Sequence, residues 1–264
     1  METSTKTGVI LVDAELEENY NIMDVSLIAG KIMLENGAET YRVEDTMMRI
    51  ALAYGIRESH SFVTPMGIMF SIETDEPTKT KLIRISNRTT DLYKVSAVNA
   101  ISRRISAGEL TTVQAYHELK AIQKAPMFFP FWIQILAAAS TSGSFVILLK
   151  GSFDNVLPAM IAGGLAYFIV LKVADIVPTM FFSEFIAAFV SGAAAYFFYR
   201  IGFGGDLDRI IIGTLIPLVP GLLITNAVRD LMAGHFISGL AKGAEALLTA
   251  LAIGTGIAVI MTLI

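Results

Sequence analysis

The sequence predicts an α-helical polytopic membrane protein, with about five transmembrane helices, preceded by a small soluble α+β domain. Three observations predict it. Charge is segregated: residues 1–125 hold 14 of the 20 Lys+Arg and 17 of the 24 Asp+Glu, leaving 6 and 7 for residues 126–264. The long apolar runs are concentrated in the second part. The first part switches between helical and two-residue spacing of its apolar side chains, over a length that can bury its own core.

Composition narrows the function classes. The chain has 264 residues, is 54% hydrophobic, carries a net charge of −4 and has no cysteine. Disulfide and thiolate chemistry are therefore excluded, and no nucleic-acid partner is expected. Residues 1–19 read as a flexible acidic tail around Glu15, Glu17 and Glu18. The opening Met1–Lys6 has no basic region followed by an apolar core, so it does not read as a secretory signal. The domain at residues 20–125 is accordingly expected in the cytoplasm.

Within that domain, Ile22, Val25, Ala29, Ile32 and Met33 recur at helical spacing, and Asn36-Gly37 supplies a stop. Thr40 is expected to cap a second helix, with Glu44 and Asp45 in its first turn. Val43, Met47, Ile50, Ala51 and Tyr54 form its stripe, and Gly55 ends it. The alternation of Ile68, Phe70 and Ile72 with Met69, Ser71 and Glu73 predicts a half-buried strand. A strand at 60–64 precedes it through Pro65-Met66-Gly67. A turn at Asp75-Glu76-Pro77 leads to a third strand at 79–86. Leu92, Val95, Val98, Ile101 and Ile105 mark a long helix closed by Gly108, and residues 111–124 a last one.

The transmembrane domain is predicted at 126–264, with spans near 130–149, 156–171, 179–199, 210–232 and 244–264. The fourth is unusual. Its uninterrupted apolar part, 210–224, is short, and Pro217 and Pro220 each remove a backbone donor. In lipid such a break persists only where protein or trapped water satisfies the freed carbonyls. Small residues (Ala137–Ser144, Ala187, Ala188, Ser191, Gly192, Ala195, Gly239 and Gly243) predict close helix packing within one bundle, or a face for a second membrane subunit.

Charged and polar residues beside lipid are the functional candidates. Glu184 lies about one turn inside the third expected span, as a proton-exchange candidate or an interfacial partner of Lys172. Lys172 and Asp175, three apart, read as a surface ion pair. Beyond the proline break, Thr225, Asn226, Arg229 and Asp230 share one broad helix face if the helix continues. The Arg fork binds carboxylates, and Asn and Thr both donate and accept. Together they form a candidate solute site, in which Asp230, like Glu184, is also a proton-exchange candidate, or they cap and anchor a helix end. Enzyme motifs fail: His117-Glu118 has no second zinc-binding His, and neither a nucleophile elbow nor a phosphate loop occurs. No metal site is expected of His60, His117 and His235. The carboxylates of 39–45 leave a membrane-anchored hydrolase using residues 37–58 as the reading from another class.

Two stretches carry a family resemblance. Asn36-Gly37-Ala38-Glu39-Thr40-Tyr41-Arg42-Val43-Glu44 resembles the N-terminal signature of the threonine/serine exporter family. Pro220-Gly221, Thr225-Asn226, Arg229-Asp230, Gly234 and Ser238-Gly239 resemble its membrane signature, and the order of soluble domain and five spans matches. The resemblance implies a secondary-type exporter of small metabolites, without cofactor or enzymatic activity. It implies functional importance for Glu39, Tyr41, Arg42 and Glu44, and for Pro220, Gly221, Thr225, Asn226, Arg229 and Asp230. Full-length members resemble a fusion of such a half with further spans. The chain therefore resembles the larger half of a split transporter, for which a small membrane partner or self-association is expected. Split relatives are linked to succinate, so hydroxy amino acids and dicarboxylates stay open as solutes. The expected setting is the cytoplasmic membrane, with several passes through the bilayer.

Overall fold

The computed structural model describes residues 22–74, 77–126, 129–177, 179 and 181–263. The expected tail at 1–19, and Asp75 and Glu76 of the expected turn, lie outside the described residues. The chain forms two compact units. One comprises Met1–Phe128 and Thr225–Lys242, the other Phe129–Ile224 and Gly243–Ile264. The boundary expected after residue 125 is thus crossed by one later segment, Thr225–Lys242.

In the first unit, helix α1 covers residues 22–35 and α2 Thr40–Ala53. Strands β1 (Glu58–Thr64), β2 (Gly67–Glu73) and β3 (Lys79–Arg84) form an antiparallel meander, β1-β2-β3. Helices α3 (Leu92–Ser106) and α4 (Thr112–Lys124) follow. The alternation around Ile68 is borne out, since Ile68, Phe70 and Ile72 are buried and Met69 and Glu73 exposed. They join Met23, Ile32, Met33, Met47 and Ile50 in one core. Each such fully buried side chain contributes about 1.5–3 kcal/mol before conformational entropy is counted. At Gly30 a Cβ would lie 2.3 Å from Met47 Sδ, so any larger residue there would have to displace the Met47 side chain.

Local signals set the helix ends. Asp91 accepts from the backbone N–H groups of Tyr93 and Lys94, and Thr111 and Gln114 form a capping box at α4. Thr40 departs from expectation. It is the first residue of α2 rather than its cap, and Glu39 in the cap position makes no side-chain cap bond. Glu44 and Asp45 also lie past the first turn, and Asp45 pairs with Arg49 at 2.7 Å.

The second unit is helical: α5 (Phe131–Leu148), a 3-10 turn Phe153–Asn155, α6 (Val156–Ile176), α7 (Phe182–Arg200) and α8 (Leu207–Leu215). A second 3-10 turn, Ile216–Leu218, leads to α9 (Gly221–Met232), and α10 covers Phe236–Leu263. Only the parts of α9 up to Ile224 and of α10 from Gly243 belong to this unit. Among the described residues, four helices are long and apolar enough to cross a membrane, and the bent pair Leu207–Leu218 and Gly221–Met232 makes a fifth if counted as one span. The break falls where Pro217 and Pro220 remove donors, with Val219 extended between them.

Small residues bring these helices together as expected. A Cβ on Gly163 would lie 1.9 Å from Ser142 Oγ, and one on Gly256 2.6 Å from the Phe185 carbonyl. Other expectations are corrected. Helix α6 continues to Ile176, and α10 begins at Phe236 rather than near residue 244. Lys172 stands over the Phe131 ring, 5.1 Å from its centroid, and forms an ion pair with neither Asp175 nor Glu184. Glu184 sits in the first turn of α7, not a turn inside it, where the positive end of the helix dipole favours a carboxylate.

Candidate functional site

In the first unit the N-terminal signature and the segment Thr225–Lys242 meet. Helix α9 ends at Met232, the chain turns through Gly234 at φ 86°, and α10 starts at Phe236. The first turns of α10 point Ser238 and Lys242 inward. Gly239 permits the tight return: a Cβ there would lie 2.6 Å from Leu231 Cγ.

Asp230 is the hub. It is 0% exposed. Its Oδ1 accepts from the Thr40 backbone N–H at 2.9 Å, and its Oδ2 from the Thr40 hydroxyl at 2.9 Å and Lys242 Nζ at 2.7 Å. The first backbone N–H groups of a helix have no partner within it. Asp230 supplies one to α2, placing negative charge at the positive end of the dipole. Lys242 also donates to the Thr40 hydroxyl at 3.2 Å. Two buried charges are tolerated here because each faces the other and the remaining valences are hydrogen-bonded.

Around that hub, Asn226 Nδ2 donates to the Gly37 carbonyl at 2.9 Å. The Arg229 guanidinium bonds Glu39, whose other oxygen accepts from Arg42 at 3.2 Å. Glu44 accepts from the Val63 N–H at 2.9 Å and lies 3.8 Å from His235 Nδ1, while Ser238 donates to the Val63 carbonyl at 3.1 Å. Burial, the largest influence on Glu39, pushes its pKa up. It is outweighed by the residue's own backbone N–H and by Arg229 and Arg42, so the carboxyl lies below its ordinary range. For Glu44 burial prevails over the Val63 N–H and His235, and Asp230 adds to it, so its pKa is raised.

The second unit holds a cavity of about 400 Å³ beside the proline break. Leu218 and Pro220 form one wall, and Glu184, Ser183, Glu245 and Thr249 supply its polar groups. Ser183 donates to Glu184 at 2.8 Å. Phe181, also on the lining, holds φ 67° just before α7, a left-handed conformation costly for an aromatic residue.

The sequence-predicted residues thus divide between two places. Glu39, Arg42, Glu44, Asn226, Arg229 and Asp230 come together in the first unit, whereas Glu184 and Pro220 line the cavity of the second. Thr225, Gly221 and Tyr41 are exposed. Sequence reasoning gave no site role to Lys242 and Glu245, met Ser238 only in the family signature, and considered His235 only as a metal ligand. A charged residue at the start of an apolar run was the available signal for Lys242 and Glu245. No group of three or more metal-ligating side chains occurs among the described residues.

Comparisons with known proteins place this arrangement in a family. The family model described as "Putative threonine/serine exporter" matches residues 24–264. The "Probable threonine/serine exporter" of Mycobacterium tuberculosis is 23% identical over 89% of this chain and 45% of that protein. The "Threonine/serine exporter" of Corynebacterium glutamicum is 23% identical over 86% of this chain and 48% of its own length. The chain therefore spans about half the length of these two relatives. The "Probable succinate transporter subunit YjjP" of Klebsiella aerogenes is 25% identical, with 96% of this chain and 97% of that protein covered. No solved structure matches. A family match over most of the chain, joined to several apolar helices, makes this a multi-pass membrane protein that belongs to the threonine/serine exporter family.

Proposed function

We propose that the chain is a subunit of the cytoplasmic membrane, its N-terminal domain inside the cell, that exports small carboxylate-bearing metabolites of the threonine and serine type. The observation that carries this reading is the setting of Arg229. Its side chain is 55% exposed, while its partner Glu39 is 7% exposed. Asp230 and Lys242, which fix the surrounding frame, are 0% and 5%. One side of the guanidinium is held and the other is open to a solute carboxylate, which an Arg fork binds bidentately. Exposed Thr225 stands one turn earlier on the same helix. Asn226 and Asp230 act by holding the frame.

Glu184, in the cavity beside the proline break, is the proton-exchange group in this reading; broken helices with polar linings commonly form transporter sites. The carboxylates of the N-terminal signature are engaged by arginines, histidine and backbone, which supports a structural rather than a hydrolytic use of residues 37–58. A dicarboxylate solute is the second reading, favoured by the match along nearly the whole of YjjP. The word "subunit" in the name of that relative also supports a further subunit as partner.

Reconstitution tests the proposal. The chain, with any co-purifying membrane partner, is placed in proteoliposomes loaded with labelled threonine, serine or succinate. Chain-dependent efflux of one class names the solute. Efflux equal to protein-free vesicles for all three would contradict the reading.

A further inference from the structure

A second polar cleft, of about 500 Å³, opens in the first unit between α2 and α3. Four charged side chains line it: Arg42, Asp45 and Arg49 from α2 and Arg103 from α3. Their balance is two positive charges, on a chain whose net charge is −4. Spacing on the two helices accounts for the convergence. Arg42, Asp45 and Arg49 fall three and four apart, as do Ser96, Asn99 and Arg103, so each set forms one stripe.

The three cations are unequal. Arg49 is bonded to Asp45 at 2.7 Å, and Arg42 to Glu39 at 3.2 Å. The Arg103 guanidinium has no ion-pair or hydrogen-bond partner among the described residues. Nor do the side chains of Ser96, Asn99, Thr46 and Ser102, the last two on residues that are 5% and 4% exposed. Buried polar side chains ordinarily find partners in the protein or in ordered water. Here several donors face one concave, net-positive space with their capacity unspent.

We infer that this cleft is a binding site for a small, multiply charged oxyanion, a di- or tricarboxylate or a phosphate group, gripped by Arg103 and seated on Ser96, Asn99 and Ser102. Arg103 supplies the fork geometry that such oxygens match. The serine hydroxyls and the Asn amide donate to the remaining oxygens. The cleft adjoins the site proposed for the exported solute through Arg42, whose partner Glu39 also binds Arg229, but Arg103, Ser96, Asn99 and Ser102 belong to the cleft alone.

Isothermal titration of the full chain in nanodiscs tests the inference, with inorganic phosphate, succinate and citrate as probes. One set of discs is of zwitterionic lipid and the other includes an anionic phospholipid. Saturable binding is expected in zwitterionic discs, strengthening with probe charge and weaker by about tenfold or more in Arg103→Glu. Arg103→Lys keeps the charge but loses the fork, and should fall between. If anionic discs abolish probe binding, the occupant is a lipid headgroup; if they leave it intact, it is a free metabolite. Absence of saturable binding for every probe in zwitterionic discs, or equal binding by Arg103→Glu, overturns the inference. Circular dichroism and the melting temperature of each variant distinguish a lost ligand contact from a lost fold.

Discussion

Asp230 caps helix α2 through the backbone N–H of Thr40, 190 positions away in the sequence, at 2.9 Å. The same carboxylate neutralises Lys242 at 2.7 Å. One buried side chain thereby ties the family's N-terminal signature to the segment that follows the proline break.

Removing that side chain should be expensive. Asp230→Ala leaves Lys242 buried without a counter-charge and the Thr40 N–H without an acceptor. A loss of about 3–5 kcal/mol is expected for breaking such a pair from one side. Asp230→Asn keeps an acceptor for Thr40 and should lose less. Denaturant titration of the solubilised protein measures both. Equal stability of Asp230→Ala and wild type would show that the cap has no energetic weight.

The pair can be separated from its surroundings by a double-mutant cycle. Asp230→Ala combined with Lys242→Ala removes both charges together, so the double variant should be less destabilised than the sum of the singles by about 1–3 kcal/mol. Strict additivity would mean that the two groups do not support each other.

Much of this was legible in the sequence, and the part that was not has a physical cause. Period-2 alternation at Ile68–Ile72 and helical spacing at Val43–Ala51 report burial directly, so those elements and their cores are found where expected. Polar residues carry no such mark. Ser238 and Lys242 interrupt an apolar run and read as a loop before a span, yet they belong to α10 because Val63 and Asp230 satisfy them. Thr40 looked like a cap because caps are usually local; its partner is distant in sequence. At Glu184 the intramembrane carboxylate was visible, but its companion in the cavity, Glu245, stood at the start of the expected fifth span, with nothing local to say that it meets Glu184.

The pH dependence of stability should carry two opposite signatures. Glu39 has a lowered folded pKa, so its stabilisation is complete above the unfolded value, ordinarily 4.5, and is lost as pH falls through the folded value. Glu39→Gln should flatten this acid limb of the melting-temperature profile. Glu44 has a raised folded pKa, so its charge costs stability above that value, and the cost disappears as pH falls below 4.5. Glu44→Gln, whose carbonyl still accepts from Val63, should melt higher than wild type at neutral pH and alike at pH 4. The opposite order at neutral pH would contradict the sign assigned to Glu44.

Close packing in the helical unit predicts a compensating pair. Gly163→Ala places a methyl group 1.9 Å from Ser142 Oγ and should cost about 1–3 kcal/mol by overpacking. Ser142→Gly in the same chain removes the obstructing hydroxyl and should restore much of the loss. Thermal stability in detergent reads both, and a double variant no better than the single would place the clash elsewhere.

The account turns on Arg229 as the carboxylate-facing group, and because Arg229 also pairs with buried Glu39, the melting temperature of each variant is read beside its flux. The most direct measurement is efflux of the identified solute from proteoliposomes containing equal amounts of folded wild type, Arg229→Ala and Arg229→Lys. A tenfold or larger loss of efflux is expected for Arg229→Ala, consistent with the roughly 1.5–3 kcal/mol of a charged hydrogen bond, with partial retention in Arg229→Lys. Unchanged efflux in Arg229→Ala, at unchanged melting temperature, would contradict the account.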